Sequence, residues 1–380
     1  MYFSGIRSLL ACVISVCALS GFAAAQTAPP QPGLVKPTGE TWTIPDHNRI
    51  NNGTVTVITA PVGGATAMFG SDMARVLDDD PTIRVLPVIG KGPVRNVIDI
   101  MYLKSIDMGM VAADVPEFYK LQYKIPDITS RLRYITKLYY NELHIIAPVS
   151  IKSISDLQGK NIVAATDVGY YTARVIFSRL NINANFDYKI DDGRALQKIV
   201  DGEADAYISS TGKVFPLARN LKNEDRRLHL VPVPYDARLA DMYLPTTLSS
   251  EEYPNLLPPR ETIDTVATSV LLVTLNWPEN SERYARVARF VDVLFSRIGE
   301  FARPPRHPKW KEASIAATIP GWQRFKPAED WLSRHHLLPV PERTEVRFQH
   351  FLAEMRASGS LNTMTQEELF KKFMEWTKQN

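Results

Sequence analysis

Short apolar runs alternate with amphipathic stretches along most of the chain from Thr54 onward. The β-branched run at Thr54 predicts a strand and the segment Pro61–Gly64 predicts a tight loop. A helix is predicted next, because apolar residues recur at helical spacing at Phe69, Met73, Val76 and Leu77. Backbone N–H groups at such a helix start are available to bind ligand oxygens.

The same order of strand, loop and helix continues downstream. Strands are predicted over 83–89 and 106–111, and a helix between them begins at Pro93, because proline suits the first turn. A strand over Leu143–Val149 is followed by a second series, with strands over 162–166 and 204–209 and helices over 172–180 and 194–200. This alternation predicts an α/β fold with mainly parallel sheets flanked by helices.

Two apolar strands bracket the second series, so the chain is predicted to cross between two lobes twice. The second crossing is the apolar stretch 266–275, which an amphipathic helix over 284–301 and a tryptophan-rich tail follow. The predicted organisation is a signal peptide (1–25), a flexible leader (26–50), a first lobe with a C-terminal helical cap (51–146 with 268–380) and a second lobe (147–267).

The first residues predict export. Arg7 precedes an apolar run from Leu9 to Phe22, and Ala23–Ala25 then supplies a small-residue cleavage site. This run is shorter than a membrane span. Both cysteines, Cys12 and Cys17, lie inside the predicted signal, so no disulfide is expected in the mature protein. The sequence therefore predicts a periplasmic protein that does not itself span a membrane.

Composition narrows the function classes. Hydrophobic residues make up 45% and charged residues 22% of the 380 positions, as in an ordinary globular protein, and this length suffices for two lobes. The net charge of +3 is too small to indicate a nucleic-acid partner, and no basic run carries interleaved aromatic residues.

Five loops follow predicted strands and supply the candidate ligand-binding residues. In open α/β sheets, ligands bind outside the carboxyl ends of the strands, so these loops are expected to converge on one cleft between the lobes. The candidates are Gly63, Gly64, Ala65, Thr66, Lys91, Gly92, Pro93, Asp114, Asp167, Gly169, Tyr170, Tyr171, Ser209, Ser210, Thr211 and Lys213. Lys213 is expected to hold a negative group of the ligand, and the two tyrosines to line the cleft.

Each candidate also has a purely structural interpretation. Gly63 and Gly64 are also typical of a simple turn, and a loop lysine such as Lys213 is usually a solvated charge. Asp167 and Asp114 stand where a carboxylate caps a helix, and they would repel an anionic ligand.

Signals for catalysis are weak. The histidines at 307, 335 and 336 lack metal-ligand spacing, and no nucleophile elbow, phosphate-binding loop or H-E-x-x-H motif is present. Neither a metal nor a cofactor is predicted, and we do not expect an enzyme.

The order of the motifs resembles that of a known family. After the signal come VITAPVGGATAMFG, VIGKGPVRNV, DMGMVAADV, ISDLQGKNIV and DGEADAYISSTGK. Together, across about 52–301, they resemble the extracytoplasmic solute-binding subunits of TRAP transporters of the TAXI type. The resemblance implies a two-lobed periplasmic binding protein with a two-strand hinge, which delivers a small carboxylate or amino-acid-like ligand to a TRAP-type membrane permease.

Two loops depart from that family's pattern. Ala65, Thr66 and Ala67 stand where the family usually has aromatic residues, and Asp167 stands in a loop that is typically rich in small hydroxyl residues. An acidic group there argues against a simple dicarboxylate, since it suits an amino or hydroxyl group instead. A sensor for a signalling partner and a periplasmic enzyme remain alternative functions.

Overall fold

The computed structural model describes residues 51–62, 64–164, 166–188, 190–223, 225–337, 343–359 and 366–379. The predicted signal peptide, the leader and Gly63 lie outside these residues. The strands are β1 (Thr54–Ile58), β2 (Arg84–Val88), β3 (Met108–Ala112), β4 (Leu132–Pro148), β5 (Asn161–Ala164), β6 (Asn185–Tyr188), β7 (Ala206–Thr211), β8 (Leu228–Leu230), β9 (Leu244–Ser249) and β10 (Thr262–Leu275).

Helices follow most of these strands. The α-helices are α1 (Ala65–Leu77), α2 (Pro93–Tyr102), α3 (Val115–Tyr123), α4 (Ile128–Arg131), α5 (Thr166–Leu180), α6 (Asp192–Val200), α7 (Pro216–Arg219), α8 (Glu282–Ser296), α9 (Ile298–Phe301), α10 (Lys326–Arg334), α11 (Arg343–Ala357) and α12 (Gln366–Gln379). Short 3₁₀ helices span Ile154–Leu157, Ala237–Leu239 and Pro308–Glu312. The α/β class predicted from the alternation is therefore confirmed.

The sheet contains two parallel sets of three strands. In the first, β1 pairs with β2 and β3. In the second, β5 pairs with β6 and β7. Each set buries apolar side chains beneath the helices that connect its strands, including Val57 and Val111 in the first set and Val163 and Ile208 in the second.

Two long antiparallel strands join the sets. The C-terminal half of β10 pairs with β3 and its N-terminal half with β9, while β4 pairs with β10, β7 and β8. The sheet order is β2-β1-β3-β10-β4-β7-β5-β6. Two elements differ from their predictions. β4 begins at Leu132 rather than Leu143, because pairing with β10 continues the strand through Arg133 and Lys137. The helix predicted over 284–301 is divided at Arg297 into α8 and α9. The division into lobes at 146/147 and 267/268 stays a prediction.

The tail packs on both parts of the chain that the prediction assigns to separate lobes. Trp310 stacks on Phe69 of α1 at 4.0 Å between ring centroids. Phe348 of α11 meets Tyr235 edge-on at 4.7 Å. In the described part of the chain, no helix combines the length and the apolar character that a membrane crossing requires.

Candidate functional site

A buried carboxylate lies where β3 ends and α3 begins. Asp114 is 1% exposed, and its Oδ2 accepts hydrogen bonds from Thr172 Oγ1 at 2.8 Å and from the Tyr243 hydroxyl at 2.9 Å. Burial raises the pKa of Asp114, and these two hydrogen bonds oppose that rise. The interaction joins β3 to α5 and to the segment before β9, so it connects the two predicted lobes.

Three more polar side chains lie beside Asp114 on adjacent strands. Thr268 of β10 is directly opposite Asn141 of β4, and Ser210 of β7 is opposite Leu143, two positions further along β4. Opposed residues in a ladder share one side of the sheet, as do residues two apart on a strand, so Thr268, Asn141 and Ser210 share a side. We call Asp114, Thr268, Asn141 and Ser210 the polar row.

The register brings Asp114 to the end of this row. Ala112 pairs with Val270, and the Ala113 N–H donates to the carbonyl of Ser269 at 2.8 Å. This hydrogen bond holds the turn that contains Asp114 beside β10 at Ser269, the neighbour of Thr268. Since neighbouring strands are about 4.8 Å apart, the row spans about 15 Å across four strands.

Three oxygen atoms of the polar row lack hydrogen-bond partners. Among the described residues, the buried side-chain oxygens without a partner are Asn96 Oδ1, Asp107 Oδ1, Asp114 Oδ1, Ser210 Oγ and Thr268 Oγ1. Three of these five belong to the polar row. Asp107 Oδ1 lies 3.5 Å from the guanidinium of Arg286, whereas no cation is paired with the row in this part of the chain. Buried polar groups are normally hydrogen-bonded, so a concentration of unpaired ones indicates a place for a ligand or water.

A second polar cluster lies beside the row and is fully paired. The ammonium of Lys309 is 3.1 Å from Glu142 Oε1 and 3.0 Å from Glu312 Oε1, and it also donates to the Tyr140 carbonyl at 2.9 Å. Glu142 Oε2 accepts from the Lys213 N–H at 2.7 Å. We call Glu142, Lys309 and Glu312 the ion cluster.

Lys213 is engaged away from the polar row. Its Nζ donates to the Thr247 carbonyl at 2.9 Å and lies 3.2 Å from Glu252 Oε1. To hold a ligand carboxylate, as the sequence predicts, Lys213 would have to leave Glu252. That role stays a prediction.

The other candidates lie in or beside the predicted loops, and their ligand-binding roles stay predictions. Gly64 precedes α1 without a side-chain cap, Ala65 and Thr66 are half-buried at its start, and Lys91 is exposed before Gly92 and Pro93. Gly169 lets α5 approach β7, because an added Cβ would lie 2.7 Å from the Ile208 carbonyl oxygen. Ser209 and Thr211 are opposite His144 and Glu142 on β4. Asp167 is the second residue of α5, and its side chain is outside the described part.

The two tyrosines pack among other rings. Tyr170 stacks on Tyr188 at 3.9 Å, and the Tyr171 ring is 4.3 Å from Phe118 of α3. They therefore lie where α3 meets α5, next to Thr172.

Sequence reasoning found Asp114 and Ser210 but missed Asn141, Thr172, Tyr243 and Thr268. The signal for Thr268 was present, because a polar residue interrupts the apolar run 266–275. In the described residues, no group of three or more histidine, cysteine or acidic side chains forms a metal site.

Comparison with known families decides the assignment. The model of the NMT1-like family matches residues 57–284, which include the whole polar row. The chain belongs to the NMT1-like family. No curated protein sequence matches it significantly.

Several solved structures are similar to this NMT1-like protein. The amino acid ABC transporter substrate-binding protein AbpA from Streptococcus pneumoniae, bound to L-arginine, is 12% identical with a TM-score of 0.39, covering 65% of this chain and 90% of AbpA. A mutant of ArgBP from T. maritima is 11% identical with a TM-score of 0.40, covering 66% and 91%. The periplasmic domain of BvgS from B. pertussis is 11% identical with a TM-score of 0.39, covering 65% and 40%.

Proposed function

We propose that this protein is a periplasmic receptor that binds a small carboxylate or amino-acid-like solute at the polar row and delivers it to a TRAP-type membrane permease. The observation that carries the proposal is the set of three buried, unpaired oxygens where β3, β10, β4 and β7 lie side by side. A solute with donors and acceptors would pair these groups and bring together the two parts of the chain that the row connects.

The chemistry of the row favours binding over catalysis. Ser210 Oγ has no hydrogen-bond partner in the described chain, so no general base there activates it as a nucleophile.

Mass spectrometry of small molecules released from protein purified from its native host tests the proposal. We expect a stoichiometric solute, recovered chemically unchanged, that the double variant S210A/T268V retains at least about ten-fold less well, because each hydroxyl contributes about 1 kcal/mol. Conversion of the solute into a product would instead identify an enzyme. Equal retention by the double variant would place the solute elsewhere.

The permease and the Lys213 assignment need separate tests. Cells should take up the identified solute only when both the receptor and a TRAP-type permease are present. K213A should weaken binding about ten- to a hundred-fold if the ammonium holds a carboxylate. Unchanged affinity in K213A would leave Lys213 as the partner of Glu252 only.

A further inference from the structure

The polar row contains one group that can carry a full charge, and that group lacks a countercharge. Both hydrogen bonds to Asp114 reach the same oxygen, Oδ2, while Oδ1 is buried without a partner. A buried carboxylate is costly unless a cation or further donors compensate it. The free oxygen therefore needs a donor that the described chain does not supply.

Basic side chains around the row are matched to other acids. Lys309 is held by Glu142 and Glu312, and Lys213 by Glu252. Arg179, on the same helix as Thr172, contacts Asp241 at 2.5 Å and Glu117 at 3.8 Å. None of these cations is paired with Asp114, so none of them compensates the charge of its carboxylate.

The rest of the row supplies neutral groups. Ser210 and Thr268 present hydroxyls that can donate or accept, and Asn141 presents an amide.

We infer that the ligand carries a positively charged nitrogen that donates to Asp114 Oδ1, while the hydroxyl of Thr268 on the adjacent strand binds one of its oxygen atoms. This inference rests on the proposed receptor function and narrows its ligands to compounds with an ammonium, amidinium or guanidinium group. A simple organic anion would leave the Asp114 carboxylate uncompensated and would be repelled by it.

Pairs of matched compounds test whether the protein binds ligands with a positive nitrogen or simple organic anions. The thermal midpoint of the wild-type protein is measured with L-glutamate, L-leucine and L-phenylalanine, with the keto acid corresponding to each, and with putrescine, which has no carboxylate. We expect at least one nitrogen-bearing probe to raise the midpoint by about 2 °C or more, and its nitrogen-free counterpart to have no effect.

Calorimetric titration with the successful probe then locates the nitrogen. D114N removes the charge but keeps the size of the side chain, and it should weaken binding about ten- to a hundred-fold. E261Q, which neutralises an exposed carboxylate far along the chain, is the matched control and should bind like the wild type. An unliganded midpoint at least as high as that of the wild type will show that D114N is folded.

The experiments distinguish an error in the positive nitrogen from an error in the receptor function. If only the keto acids raise the midpoint, the receptor function stands and the positive nitrogen is wrong. If D114N binds an amine-bearing probe as tightly as the wild type, the nitrogen does not bind at Asp114. If no probe of either kind stabilises the protein, both the ligand class and the receptor function for such solutes are wrong.

Discussion

Asn141 and Glu142 are adjacent on β4, yet they belong to two polar regions of opposite character. Glu142 lies in the ion cluster, where its carboxylate binds the Lys309 ammonium and the Lys213 N–H. Asn141 lies in the polar row, where Asp114, Ser210 and Thr268 each keep an unpaired oxygen. Asn141 and Glu142 are both buried, so exposure does not distinguish these two neighbours.

The difference lies in how completely the protein satisfies its own polar groups. A saturated cluster has no capacity for a ligand, and here it fastens the tail segment at Lys309 to the centre of the sheet. An unsaturated row has unused donors and acceptors, which a ligand can pair. Substitutions in the ion cluster should therefore change stability, and substitutions in the row should change binding.

The largest effect should come from breaking the ion cluster. K309M leaves Glu142 buried without its cation, which should lower the free energy of unfolding by about 3–5 kcal/mol at pH 7 in urea titrations. Burial raises the pKa of Glu142 and Lys309 opposes that rise, so without Lys309 the folded protein takes up a proton more readily and the loss should shrink as the pH falls. The exposed K326M is the control and should leave the midpoint unchanged.

A steric change beside the same lysine should have a smaller effect. An added Cβ at Gly212 would lie 2.6 Å from Cε of Lys309, whose ammonium is fixed by three partners. We expect G212A to cost about 1–3 kcal/mol in the same urea titration. G299A, where no atom lies within 4 Å of the added carbon, should cost nothing. Equal effects of the two alanines would show that the Lys309 side chain is not tightly held.

Two threonines on β10 allow the stability contribution of a paired hydroxyl to be compared with that of an unpaired one. Thr265 Oγ1 donates to the Leu143 carbonyl at 2.7 Å, whereas Thr268 Oγ1 has no partner, and each residue is 1% exposed. T265V should therefore cost about 1 kcal/mol of unfolding free energy, and T268V should be neutral within about 0.5 kcal/mol. A comparable loss in T268V would mean that its hydroxyl is already paired, and the polar row would lose one of its members as a ligand group.

The smallest expected effect is a pH dependence at Asp114. Burial raises its pKa, so the folded protein binds this proton more tightly than the unfolded chain, and the contribution of Asp114 to stability is lost as the pH rises through the folded pKa. D114N has no such proton. Its stability relative to the wild type should therefore be higher at pH 7 than at pH 4.5, by urea titration. A difference that is constant with pH would contradict the raised pKa.

The sequence by itself determined the local elements. Pro93 begins α2 as predicted, and β1, β3 and α1 lie within a few residues of their predicted positions, because apolar periodicity, proline and glycine act over a few neighbouring positions. The alternation of these elements was sufficient to predict the α/β class and two parallel sets of strands joined by long crossings.

Tertiary structure alone decided the length of β4 and the composition of the site. The first half of β4 contains Arg133 and Lys137, which interrupt the apolar pattern, and pairing with β10 makes it a strand. Asp114 receives its hydrogen bonds from residues 58 and 129 positions away, and Lys309 reaches Glu142 across 167 positions. Which polar groups are paired and which are left for a ligand depends on such long-range register, and no local pattern along the chain encodes it.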